Sequence, residues 1–242
     1  MRLPVAWIIA TKDFSTFMKK KGVIYPLLIP SILVSIVVPL LISFDSSLFG
    51  TISIPSLLDS VLFFFVIQAM VMPMTLAAYS IVGEKAEKSL QPLLAAPVTD
   101  GEILLGKSLA AWLPAIIAAC ATASIFMALG DLVTYGSLGY LYFPNMSAAV
   151  ILLIVIPVVA LFAIGVNIII SSRANDIRTA MQLGAFAYLP IAAIFGAGLF
   201  HFFVINAINL LIISAIILMI DVILFSISTK TFQREEILTK WK

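Results

Sequence analysis

Charge is what this sequence has least of. Of its 242 residues only 11% are Asp, Glu, Lys or Arg, against about 25% in soluble domains. Hydrophobic residues make up 62% and the mean hydropathy is +1.18. No compact soluble core hides that much apolar surface, which excludes a soluble enzyme. Disorder is excluded too, because it needs low hydrophobicity and high charge. Cysteine and histidine occur once each, as Cys120 and His201. One cysteine closes no intrachain disulfide, and the two together make no zinc site; Cys120 lies in an apolar run and reads as a small packing residue. Signatures of catalysis and nucleotide binding are missing: there is no G-x-x-x-x-G-K-[ST] loop, no H-E-x-x-H and no G-x-S-x-G. No cofactor is therefore expected in the chain itself. The net charge of +2 gives no reason to expect nucleic acid. The one tight basic run, Lys19-Lys20-Lys21, abuts an apolar stretch and reads as a juxtamembrane anchor.

Long uncharged runs are what the sequence has instead. They predict an all-α, polytopic membrane domain over residues 1–242, with six spans at about 23–43, 59–82, 107–129, 147–171, 180–200 and 203–228. Each reaches the ~30 Å of a bilayer core at ~1.5 Å rise per residue. Residues 132–145, rich in Tyr, Gly and Pro, read as a loop. The last two spans are parted only by Gly196, Gly198 and His201, so a tight turn is placed near Phe200. Six spans put residues 1–21, 84–107, 173–178 and 230–242 on one side, and those pieces hold all 14 Lys and Arg. Positive residues in short loops stay in the cytoplasm, so both termini are expected there, in the plasma membrane. Residues 1–21 mix charges throughout and do not read as a cleaved signal.

Residues 5–18 carry Trp7, Ala10, Phe14, Phe17 and Met18 at helical spacing, with Lys12 and Asp13 between them. That pattern suits a helix lying in the membrane interface. Proline falls inside five of the spans, at Pro30, Pro39, Pro73, Pro114, Pro157 and Pro190, where each removes a helix donor. The spans hold few polar groups. Asn167 is one, and Asp221 is the single ionisable residue well inside a span. An intramembrane carboxylate is a functional candidate. Structural pairing is its expected role and substrate or proton handling the alternative; at its depth it could face a water-filled cavity, pair with a Lys or Arg from the cytoplasmic side, or cap a neighbouring helix.

The segment from Gly83 reads G-E-K-A-E-K-S-L-Q-P-L-L-A-A-P-V-T-D-G-E-I-L-L-G-K. Glu84, Lys85, Glu87 and Lys88 mix signs, while Leu90, Leu93 and Leu94 share one helical face. Pro97 ends that short amphipathic helix. Thr99 and Glu102 then fit a capping box, so the next helix starts at Asp100 and runs through Lys107 into the third span.

This order resembles the permease subunits of type-2 ABC exporters. The matching residues are Glu84, Lys85, Glu87, Lys88, Ser89-Leu90, Leu93-Leu94, Pro97-Val98 and Glu102 to Lys107. The family has a Gly-Thr step where this chain has Lys88-Ser89. The resemblance implies a coupling helix, residues 84–97, that docks on a separate ATP-binding subunit through Glu84, Lys85, Glu87, Lys88, Leu90, Leu93 and Leu94. It also implies two copies of that subunit holding ATP and Mg, and a second permease copy or a homologous permease in the same bilayer. The competing reading is an ion- or proton-coupled secondary transporter without an ATPase. A membrane enzyme or assembly factor is a third, opposed by the missing catalytic groups. The apolar spans suit an amphipathic cargo.

Overall fold

The computed structural model describes residues 3–44, 53–86, 98–174, 176–199 and 206–231. All regular structure among them is helical. An N-terminal helix α1 (Leu3–Lys19) precedes six apolar helices: α2 (Lys21–Phe44), α3 (Ile54–Gly83), α4 (Asp100–Leu138), α5 (Met146–Arg173), α6 (Ile177–Leu199) and α7 (Ala207–Thr231). Those six are long and apolar enough to cross a membrane. A single turn, Glu84–Ala86, extends α3.

Local chemistry explains four of the helix ends. Ser53 caps α3 by accepting from the Ser56 amide at 3.4 Å, and Pro55 sits in the first turn, where its missing N–H costs nothing. Thr99 caps α4, and both halves of the capping box with Glu102 are made. Asn145 starts α5 by accepting from the Ala148 amide at 2.7 Å. Gly139, at φ 76°, ends α4 in the left-handed conformation that suits glycine.

One expectation needs correcting. Residues 132–138 read as a loop, yet α4 continues to Leu138 and the loop is confined to residues 139–145. The Asp131 carboxylate accepts from the Tyr142 and Phe143 amides, both at 2.9 Å, and so ties the segment that returns after Gly139 to α4. α3 begins at Ile54, so Asp59 lies in its second turn. There it accepts from the Tyr142 hydroxyl at 2.7 Å and the Asn145 amide at 3.4 Å. Burial, then this bond, raise the Tyr142 hydroxyl above its ordinary pKa. The expected turn near Phe200 lies outside the described residues.

Two helices contain π-helical turns, Tyr79–Gly83 in α3 and Ile151–Val155 in α5. The second sits just before Pro157, whose missing N–H would otherwise have met the Leu153 carbonyl. α3 is the spine. Its core-facing residues, among them Leu58, Leu62, Phe65, Met70 and Leu76, are buried, and it packs against α4, α5 and α6. α2 leans on α4, and α7 leans on α5. Polar ties fasten the helices: Ser35 of α2 donates to the Thr122 carbonyl of α4 at 2.8 Å, and Asn167 of α5 donates to the Met74 carbonyl of α3 at 2.5 Å.

α1 packs along α4. Ala6, Ile9, Ala10, Asp13 and Phe17 are buried against the bundle. The expected face is thus split. Ala10 and Phe17 point inward, whereas Trp7, Phe14 and Met18, with Leu3 and Ile8, remain exposed. Gly106 makes the approach possible: a Cβ there would meet the Ala6 carbonyl oxygen and the Ile9 side chain, both at 2.7 Å.

Candidate functional site

The contact at Gly106 brings α1 beside Lys107, and a buried ion cluster forms there. Lys107 is 2% exposed and Asp13 3%. The Lys107 ammonium donates to Glu84 Oε2 at 2.5 Å, to the Ser80 carbonyl at 2.9 Å, to Ser80 Oγ at 3.0 Å and to Asp13 Oδ2 at 3.3 Å. Ser80 in turn donates to Asp13 Oδ2 at 2.7 Å. Lys12, at the rim, reaches Glu84 Oε1 at 2.9 Å. Two cations therefore face two carboxylates, so the cluster is neutral and each buried charge has a partner, as burial requires.

The local fold supplies every arm. The π turn of α3 carries Ser80 and places its carbonyl toward Lys107. The turn after Gly83 carries Glu84. The first turns of α4 carry Lys107, and the amphipathic α1 carries Lys12 and Asp13. Burial pushes the Glu84 carboxyl upward, but Lys107 and then Lys12 outweigh it and hold the group below its ordinary range. Burial pulls Lys12 down, but Glu84 and Asp13 more than offset this and raise it. The arrangement locks three segments together at the two roots of the loop between α3 and α4.

The residues expected to dock a partner fare differently. Glu84 is turned into the bundle toward Lys107. Lys85 donates to the Ala174 carbonyl at 3.3 Å, which ties the same root to the short connection between α5 and α6. Glu87, Lys88, Leu90, Leu93 and Leu94 lie outside the described residues. Asp13 and Ser80 were not singled out from the sequence. Only the adjacency of Gly106 and Lys107 hinted at a close helix contact with a buried cation inside it.

The intramembrane polar residues also separate. Asn167 is fully buried and engaged, donating to Met74 and accepting from the Ser171 hydroxyl. Asp221 does not form the expected pair with a Lys or Arg among the described residues. It lies on α7, 8% exposed, and neither carboxyl oxygen has a hydrogen-bond partner there. It borders a cavity of about 380 Å³ between α4, α5 and α7.

Comparison with known proteins gives one finding. A family model described as ABC-2 family transporter protein matches residues 7–223, from α1 into α7. No curated protein matches the chain.

Proposed function

The chain belongs to the ABC-2 transporter family and is a membrane permease of an ABC transporter; from that premise we propose that it works as an exporter subunit driven by a separate ATPase. Two such ATP-binding subunits, holding ATP and Mg, seat on the loop of residues 84–97. A second permease copy completes the transporter. Both termini face the cytoplasm of a cell whose plasma membrane holds the complex.

One observation carries the coupling: both roots of that loop are fastened into the ion cluster. Glu84 stands at its start and Lys107 two turns into the helix that follows it, and the two are bonded at 2.5 Å. A push on the loop therefore acts on α3, α4 and α1 together instead of bending a slack connector. Charge placement supports the orientation, since the cluster, Lys19 to Lys21, Arg173 and Arg178 gather at one end of the bundle while Asp59 and Asp131 mark the other. α1 joins this end with Trp7, Ile8 and Met18 exposed beside Lys12 and Lys19, the dress of a helix in the membrane interface.

The test is purification of the tagged chain from its native membrane in mild detergent, with identification of what accompanies it. A stoichiometric subunit carrying a G-x-x-x-x-G-K-[ST] loop is expected. A chain that purifies alone and moves cargo down an ion gradient without ATP would overturn the proposal in favour of a secondary transporter.

A further inference from the structure

We propose that the cavity between α4, α5 and α7 binds an ammonium group carried on an apolar body, with Asp221 as its counter-ion. The site does not depend on the energy source of transport. Its volume, about 380 Å³, falls within the ~300–1,000 Å³ of small-molecule pockets. Its walls are apolar, with Trp112, Leu161, Ile168, Leu218 and Phe225 among them; Asp221 is the one ionisable residue on them, and its carboxyl oxygens are buried behind the wall, so a ligand meets them through a turn of that side chain.

An acid in such surroundings is costly unless something answers it. Nothing among the described residues does, because both of its oxygens are buried without a hydrogen-bond partner. Charge selects the ligand. An anion would face the carboxyl, and a neutral apolar molecule would leave it unanswered. A bare metal cation fits poorly, since hard ions take about six oxygen ligands and Ser108 offers the only other side-chain oxygen on the walls. A primary ammonium carries three N–H donors, for which the two Asp221 oxygens and the Ser108 hydroxyl are the side-chain acceptors the lining residues offer, and the body it is carried on needs only apolar contact. Aromatic rings add to that attraction, and Trp112 is held at the cavity by its indole N–H bond to the Pro157 carbonyl at 3.1 Å. Leu218, Val222 and Phe225 are exposed on the outer face of α7, so the cavity opens sideways at membrane depth. Asp221 lies ten residues before the end of α7 at Thr231, or ~15 Å along the helix. An apolar tail would lie alongside in the bilayer. A free amphipathic amine and an aminophospholipid share this chemistry.

Trp112 is a built-in reporter. With Trp7→Phe and Trp241→Phe it becomes the sole tryptophan. The protein is placed in phosphatidylcholine nanodiscs and titrated with brominated stearylamine, brominated stearyl alcohol or brominated phosphatidylethanolamine, whose bromines quench a tryptophan they touch. The amine is expected to quench saturably at about tenfold lower concentration than the alcohol, equivalent to ~1.4 kcal/mol. Asp221→Asn, which keeps the shape and breaks no bond, should erase that preference, and Asp221→Glu should keep it. Leu161→Phe, which narrows the cavity without adding a tryptophan, should weaken the quenching. Preferential quenching by phosphatidylethanolamine assigns the site to a lipid, and by stearylamine alone to a free amine; either supports the proposal. Equal quenching by amine and alcohol, or a preference that survives Asp221→Asn, overturns it. So does a protein in which nothing quenches Trp112 while a cysteine at Phe225 cross-links to a second copy, because the partner then fills the cavity.

Discussion

At the scale of single residues, Lys107 decides the most. It answers two carboxylates inside the protein, so Lys107→Met leaves both without their main partner. Breaking a buried pair from one side costs about 3–5 kcal/mol. We expect poor accumulation in the membrane and a markedly lower melting temperature in detergent, with Asp13→Asn restoring part of the loss. Glu84 gives a pH signature. Its folded-state pKa lies below its ordinary 4.5. Its ionised form therefore contributes stability that is complete above that pH and fades as the pH falls through the folded value. The gap in melting temperature between the wild type and Glu84→Gln should be open at neutral pH and close in acid. Asp131 at the opposite end accepts two backbone amides. Asp131→Ala strands them, at about 1–3 kcal/mol, which thermal unfolding would register.

At the scale of elements, α1 depends on one missing Cβ. Gly106→Leu would drive the Ala6 backbone and the Ile9 side chain away. A cysteine replacing Ile9, buried in the wild type, should resist maleimide in a Cys120→Ala background and react once Gly106 is Leu. This contact also marks where sequence reading stops. Spans are legible because each is a local run of apolar residues, and the helix starts at Thr99 and Asp100 because capping is local chemistry. Asp13 is not legible. In sequence it is one polar residue on the polar side of an amphipathic helix, and only the approach of α1 to α4 turns it inward. The extension of α4 to Leu138 was hidden for a similar reason. Tyr135, Gly136 and Gly139 resemble loop residues, yet only Gly139 adopts a conformation that ends a helix. Asp221 stood out in the sequence as a carboxylate among apolar residues, but its lack of a partner among the described residues is a property of three helices at once.

At the scale of the whole molecule, orientation and coupling can be checked together. A cysteine at Tyr135, half exposed near the end of α4, should react with an impermeant maleimide added outside intact cells. One at Lys88 should react only after the membrane is opened. Charge reversal at Glu87 should leave insertion intact and uncouple ATP hydrolysis from export in reconstituted vesicles. The same change at Glu84 should act on assembly instead, because its side chain belongs to the ion cluster. The position of α3 bears on transport in another way. Its 30 residues run through the centre of the bundle with side chains buried on nearly every side. A lone copy is thus a solid pillar, with its axis already filled by Leu, Phe and Met. In the proposed dimer the cargo would run along the flank of that pillar, with the second copy as the opposite wall.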